Sequence, residues 1–267
     1  MMQPDKLYND PELAQFYDIE NEWAADLAFI QRMAAGCTSI LDLGCGTGQL
    51  AAVLAQERGK NITAVDPAEP MLDFARRKPG GDRVRWVRGD ARNIRLNESF
   101  DLIVLSGHAF QVFLMPEDQQ AVIRTISIHL APEGRFIFDT RNPEVEEWKE
   151  WTPDESRRHI IHPALGECLA WNDVVHDPET NIVEYETHYR ILADDRAYSA
   201  RSSIAFPSQE QTASMLNEAG LYVESWLGDW NGAPYNVGTP EIIPIGRLAE
   251  RNPLTTFERE TQHGSRR

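Results

Sequence analysis

The sequence predicts an α/β fold, a doubly wound sheet of seven strands with an antiparallel β meander inserted near its end. Three observations carry this reading. Residues 40–50 read Ile-Leu-Asp-Leu-Gly-Cys-Gly-Thr-Gly-Gln-Leu, an apolar run, a glycine turn and the start of a helical run. From residue 61 to 139, apolar strand-like runs alternate with helical stretches, as in a parallel sheet covered on both faces. Beyond Thr140, strand-like runs succeed one another across turn residues with no helix between them, which is the pattern of a meander.

In chain order, residues 1–36 read as a helical cover. Asp10-Pro11-Glu12 supplies an N-cap followed by proline at the first helical position. Leu13, Phe16 and Tyr17, then Trp23, Leu27, Ile30 and Met33, form apolar stripes at helical spacing, expected to pack on the sheet edge. Gly36 ends the second helix. Residues 37–139 form the core, with strands expected at 40–43, 61–66, 83–88, 100–106 and 134–139. The alternation of basic and apolar residues over 83–88 suits an edge strand, and Leu102 to Leu105 suit a strand buried on both faces. Pro116-Glu117 begins a helix running through Ile123, Ile126 and Leu130. Residues 140–206 hold the meander, with strands at 168–176, 182–192 and 196–206 and turn chemistry at 177–181 and 194–195. Residues 207–250 supply a helix capped by Ser208 and ended by Gly220, then strands at 221–227 and 241–246. Residues 251–267 are a polar tail expected to fray. The whole reads as a single domain.

The glycines at 44, 46 and 48 mark where backbone must come close to a ligand, because a Cβ would block the approach and the turn visits φ > 0. Their spacing is not that of a dinucleotide fingerprint, whose third glycine would stand at position 49, here Gln49. No Gly-Lys-Ser/Thr follows, so a phosphate loop is excluded as well. The run Asp42-Leu43-Gly44-Cys45-Gly46-Thr47-Gly48 resembles the first motif of the class I S-adenosylmethionine-dependent methyltransferases, and the resemblance extends well over residues 40–139. It implies a Rossmann-like sheet and S-adenosyl-L-methionine as cofactor, with S-adenosyl-L-homocysteine as product. It places Asp42, Gly44, Cys45, Gly46, Thr47 and Gly48 around the cofactor. Asp66, at the end of the second strand, is expected to accept from the ribose hydroxyls. Pro67 and Met71 follow it, Met71 as an apolar wall for the adenine. Asp90 and Ala91 match the pair that meets the adenine amino group and ring nitrogen, with Arg92 beside them. Tyr17, in Tyr17-Asp18, stands where the resembling proteins carry a helix covering the cofactor. Ser106 and Gly107 open the loop after the fourth strand.

Composition narrows the partners. Asp plus Glu outnumber Lys plus Arg 42 to 26, for a formal net charge of −16. Such a chain repels polyphosphate, so nucleic acid and anionic membranes are poor partners. No secretory signal and no apolar run of about 18 residues is visible. Three scattered cysteines offer neither zinc spacing nor a disulfide framework. The expectation is a cytoplasmic monomer or homodimer.

The acceptor is expected to be a small molecule methylated at nitrogen or oxygen. Methyl transfer from an activated donor needs alignment and desolvation more than a strong acid. His108 is the candidate base, with an orienting hydrogen bond as the alternative role. Gln111, Trp171, Trp230, Asn231 and Tyr235 are candidate acceptor contacts. His159 and His162 share i, i+3 spacing but lack a third ligand, so no metal is expected. The meander resembles the lids of amino-sugar N-methyltransferases and glycine N-methyltransferase, and is expected to choose the acceptor. On that view, removing residues 167–205 spares cofactor binding. A protein or RNA acceptor and a non-catalytic cofactor-binding subunit are the competing readings. The acidity opposes RNA, and Ser106-Gly107-His108-Ala109 replaces the Asn/Asp-Pro-Pro-Tyr tetrapeptide of many amide and exocyclic-amine methylators.

Overall fold

The computed structural model describes residues 5–249. The N-terminal stretch forms three one-turn helices, α1 (Lys6–Asn9), α2 (Pro11–Ala14) and α3 (Tyr17–Glu20), then α4 (Ala25–Met33). The core follows as β1 (Ser39–Leu43), α5 (Gln49–Leu54), β2 (Asn61–Asp66), α6 (Glu69–Arg77), β3 (Arg85–Arg88), β4 (Phe100–Leu105), α7 (Pro116–His129) and β5 (Leu130–Phe138). A two-residue strand, β6 (Thr140–Arg141), leads to the meander of β7 (Arg158–His162), β8 (Gly166–Asp177), β9 (Ile182–Ile191) and β10 (Ala197–Ala205). The chain closes with α8 (Gln209–Glu218), β11 (Leu221–Leu227) and β12 (Glu241–Leu248).

Seven long strands lie in the order β11-β12-β5-β4-β1-β2-β3, and β6 pairs with the start of β12. All are parallel to β1 except β12, which is antiparallel to both neighbours. Residues alternate between two cores, as a strand period of two requires. Ile40, Leu102, Val104 and Ile243 meet Ile30 of α4 and Leu50 and Leu54 of α5. Leu41, Leu43, Ile103 and Leu105 meet Ile123 and Ile126 of α7 and Leu216 of α8 on the other face. Register pairs Asp42 with Val104, Asp66 with Arg88 and Leu105 with Phe138. The parallel strands therefore finish on one line, and because β12 runs the other way its first residue, Glu241, stands on that line too.

Several local expectations hold in detail. The side chain of Asp10 caps α2 by accepting from the Glu12 N–H, and Ser208 forms a reciprocal capping box with Gln211. Asp177 closes the β8–β9 turn by accepting from the Glu179 N–H and Thr180 hydroxyl, with Asn181 at φ +55°.

Three expectations need correction. The apolar stripe before residue 21 folds as separate turns, because each four-residue helix is capped or broken before it propagates. Leu13 and Phe16 pack on the meander, not the sheet edge: they share a core with Cys168, Ala170, Tyr189 and Ile191. Phe16 is fully buried and stacks on Tyr189 with ring centroids 4.1 Å apart. The meander has four strands, since residues 158–162 add β7, and His159 and His162 therefore lie on opposite faces of a strand. The imidazole of His162 accepts from the backbone N–H groups of Ala164 and Leu165, a turn closure. The expected tail at 251–267 lies outside the described residues. Among the described residues no helix is long and apolar enough to cross a membrane.

Candidate active site at the carboxyl edge of the sheet

The turn between β1 and α5 uses all three of its glycines in the left-handed region, at φ +68°, +53° and +70° for Gly44, Gly46 and Gly48. Gly48 is held by packing: a Cβ there would fall 2.4 Å from the Trp86 ring and 2.8 Å from Ala75. Gly46 is instead covered by Tyr17, whose ring lies 3.5 Å from the position a Cβ would take. The Tyr17 hydroxyl is also 3.9 Å from where a Gly107 Cβ would stand. Tyr17 thus bridges the turn after β1 and the loop after β4. Met71, buried with Ala14 and Ala68, packs beneath it. Asp18 locks this bridge by accepting from the Thr47 hydroxyl, from Lys78 and from Gln49 Nε2 at 3.0 Å. Against burial, these hydrogen bonds hold its carboxylate below the ordinary range.

Asp66 ends β2 beneath the glycine turn. Its carboxylate accepts from the Gly46 N–H at 2.9 Å and the Ala68 N–H at 2.8 Å, and burial pushes its pKa up despite both bonds. Pro67, next in the chain, is exposed. Asp42 is 3% exposed and its carboxylate makes no hydrogen bond among the described residues. Burial and then the charge of Asp66 push it up to about 7. The same burial, followed by Asp42 and Asp66, raises the Cys45 thiol well above its usual range, so Cys45 is inert at neutral pH. Thr47 is buried. After β3, the main chain and guanidinium of Arg92 both bond Asp90, the guanidinium also reaching Asp118 at 2.9 Å. Against burial, these contacts hold the Asp90 carboxylate below the ordinary range. Ala91 is buried beside it.

A raised Asp42 pKa means that the native protein binds this proton more tightly than the unfolded chain, whose Asp titrates near 3.8. The linked stability is complete below about pH 4 and is lost as pH rises through about 7. In cofactor-free protein, Asp42→Asn should therefore raise the melting temperature at pH 8 and leave it little changed at pH 4. Equal shifts at both pH values would show that the carboxylate charge is not the cause.

Ser106 and Gly107 carry the chain from β4 to His108, which adopts φ +59°. The His108 N–H donates to Asp139 Oδ1 at 3.1 Å. Its Nε2 meets Glu241 Oε1 at 2.9 Å and Oε2 at 3.1 Å, and Asp139 Oδ2 lies 3.5 Å away. Burial and then Arg141 lower His108 to about 4, while burial lifts Asp139 to about 6 and Glu241 to about 8. Burial disfavours charge on all three groups, and the close contact couples His108 with Glu241 so that the two titrate together. Burial makes His108 a weaker base than a free imidazole, and the carboxyl groups of Asp139 and Glu241 stand within 3.5 Å of its Nε2. Asp139 and Glu241 carry no motif signal. What could have located Glu241 is an acid heading the antiparallel apolar strand Ile-Ile-Pro-Ile, which that strand direction delivers to the carboxyl edge.

The acceptor candidates separate. Gln111 is fully buried: its Nε2 donates to the Ala205 carbonyl at 2.9 Å and its Oε1 accepts from Arg141 at 3.0 Å. It joins the loop after β4 to the end of the meander and holds Arg141 near the cluster. Trp171 departs from expectation. It pairs across the meander with His188, stacked at 5.0 Å, on the face opposite Tyr185 and Tyr189, because alternate strand residues face opposite ways. Trp230 packs edge-on against Phe29 of α4 at 5.8 Å, as part of the core. Asn231 is exposed and its N–H closes the β11–β12 loop on Asp229. Tyr235 is half-buried in that loop, its N–H donating to the Trp226 carbonyl.

The chain resembles known methyltransferases in sequence and fold. A methyltransferase-domain family model matches residues 40–134. The chain is 29% identical over 213 residues to the cypemycin N-terminal methyltransferase of Streptomyces sp, covering 78% of this chain and 82% of that one. It is 31% identical over 198 residues to the putative methyltransferase YqeM of Bacillus subtilis, covering 72% and 76%. Among solved structures, CalS10 with bound S-adenosylmethionine, an amino pentose methyltransferase from Micromonospora echinaspora, superposes with a TM-score of 0.65 at 20% identity, covering 87% of this chain and 94% of that one.

Proposed function

The chain belongs to the class I S-adenosylmethionine-dependent methyltransferases of small-molecule type, and from that premise we propose that it methylates a nitrogen or oxygen of a small-molecule acceptor held between the carboxyl edge of the sheet and the meander. The observation that carries the reading is the glycine turn covered by Tyr17, with the buried acids Asp42 and Asp66 at the ends of β1 and β2 beside it. These residues fit the cofactor: Gly46 offers bare backbone at the turn, and the Asp42 carboxylate, with no hydrogen bond among the described residues, would be met by a ligand that carries positive charge. When bound, S-adenosylmethionine supplies a sulfonium-activated methyl, whose carbon–sulfur electron pair returns to sulfur as the new bond forms.

This chain's residues then bind, orient and exclude water. Asp66 would hold the ribose hydroxyls with the lone pairs left over from Gly46 and Ala68. Asp90 and the Ala91 N–H would hold the adenine, with Arg92 fixing the Asp90 carboxylate. Tyr17 would shield the methyl from solvent, so that the acceptor attacks in a desolvated, aligned geometry. Similarity to the dTDP-3-amino-3,6-dideoxy-alpha-D-glucopyranose N,N-dimethyltransferase of Streptomyces fradiae, 26% identical over 246 residues, supports a small acceptor, and the net charge of −16 opposes RNA.

Calorimetry with S-adenosylhomocysteine tests the reading. Asp66→Ala should weaken binding by roughly 1.5–3 kcal/mol, the range for hydrogen bonds to a charged group. Wild-type affinity in a folded variant would remove Asp66 from the site. Labelled-methyl transfer to a panel of small amines and alcohols then identifies the acceptor atom.

A further inference from the structure

We propose that Asp139 and Glu241, arranged around His108, are the seat of the acceptor's amino group, so that this enzyme methylates an amine bound as its cation. The inference rests on the methyltransferase reading above and goes further by naming the acceptor class and the groups that hold it.

Asp139 is 1% exposed, and its Oδ2 is buried with no hydrogen-bond partner. A buried carboxylate oxygen without a donor is costly, so such an atom points to a donor that arrives with a ligand. Its other oxygen is committed to the His108 N–H, which leaves Oδ2 turned toward His108 Nε2 and Glu241. The cluster follows Gly107 directly, and Gly107 faces the Tyr17 hydroxyl. A group docked on Asp139 would therefore stand at the loop after β4, next in the chain to the glycine that Tyr17 covers.

The surrounding charges favour a cation. Asp26 and Glu147 act on Glu241 and His108 along with Arg141, and Asp26 Oδ1 is a second buried oxygen with no partner. The guanidinium of Arg141 is occupied by Gln111 at 3.0 Å, Glu147 at 3.3 Å and the Trp151 ring, its centroid 5.1 Å from the guanidinium carbon. It is thus partly neutralised within its own network and leaves the cluster net negative. An ammonium supplies three N–H donors and one positive charge, which matches Asp139 Oδ2 and a free lone pair of Glu241. An uncharged hydroxyl supplies one donor and leaves the charge unmet. Before attack the nitrogen must free its lone pair. The N–H bond to Asp139 breaks with its electrons left on nitrogen, and the proton moves to Oδ2. After transfer the product leaves as the methylated ammonium, and the proton held on Asp139 Oδ2 passes to solvent through the Glu241–His108 pair, restoring the carboxylate.

Two aza analogues of S-adenosylmethionine test this without a known acceptor. They carry nitrogen in place of sulfur and differ only in the arm on that nitrogen, 2-aminoethyl or 2-hydroxyethyl. By calorimetry the aminoethyl analogue should bind roughly 10-fold or more tightly than the hydroxyethyl one, the scale of one charged hydrogen bond. Asp139→Asn, which keeps an acceptor for the His108 N–H, and Glu241→Gln should each bring that ratio close to one. S-adenosylhomocysteine binding and far-ultraviolet circular dichroism, measured on the same samples, report the cofactor site and the fold. Equal affinities in the wild type, or a preference that survives in both variants, would overturn the proposal. So would a hydroxyethyl analogue that gains affinity on adding manganese, which would assign the cluster to a metal-held oxygen acceptor. Failure of S-adenosylhomocysteine itself to bind the folded wild type would overturn the cofactor reading, and the proposal with it.

Discussion

Gly46→Val should lower S-adenosylhomocysteine affinity more than about 100-fold, or about 2.7 kcal/mol, in a protein that still folds. Gly46 sits at φ +53°, where a β-branched residue is strained by on the order of 1–3 kcal/mol. A Cβ there lies 3.5 Å from Tyr17, an ordinary contact, but the two valine methyls would crowd the ring that covers the turn. The substitution therefore displaces Tyr17 at the turn and spares the sheet core. Gly48→Val is the contrasting control: its Cβ would overlap the Trp86 ring at 2.4 Å, so the expected outcome is loss of the fold itself. Comparing affinity with thermal stability in the two variants separates the effects. Normal binding by a folded Gly46→Val protein would exclude the turn from the cofactor site.

The second large effect is expected at a residue that packs on the meander. Phe16→Ala should cost about 3–5 kcal/mol of stability, the range for a buried phenylalanine. It should also weaken cofactor binding, because Phe16 precedes Tyr17 and fixes it through the stack on Tyr189 at 4.1 Å. Urea denaturation and calorimetry on the same variant measure both. A loss below about 1 kcal/mol would mean that the meander does not anchor the cover. The same packing changes the outcome expected for a deletion of residues 167–205. That segment contains Cys168, Ala170, Tyr189 and Ile191, against which Leu13 and Phe16 are buried. Its removal should cost cofactor binding as well as transfer.

The core of the fold was legible because its signals are local. The glycine turn, the acids ending the strands and the Ser208 cap each follow from a few adjacent residues, as does the β8–β9 turn. What was not legible depends on which face or which neighbour a residue meets. Trp171 and Tyr185 read alike in sequence, yet strand alternation puts them on opposite faces. Phe16 belongs to a helical stripe whose partner lies more than 150 residues downstream in Cys168, Ala170 and Tyr189. Glu241 joins His108 only because β12 runs antiparallel and so begins at the functional edge. The lowered His108 pKa likewise reflects burial and an arginine from β6, neither of which a pattern over a few residues can report.

The Phe16–Tyr189 stack also sets the unit of exchange for anyone building chimeras. Acceptor preference in enzymes of this layout invites grafting a meander from one chain onto another. Here such a graft would present a foreign surface to Leu13 and Phe16, leaving their side chains without complementary holes and the phenol of Tyr17 without its support. A transplant that respects the packing must carry residues 5–20 together with residues 158–205, two segments distant in sequence that behave as one cassette.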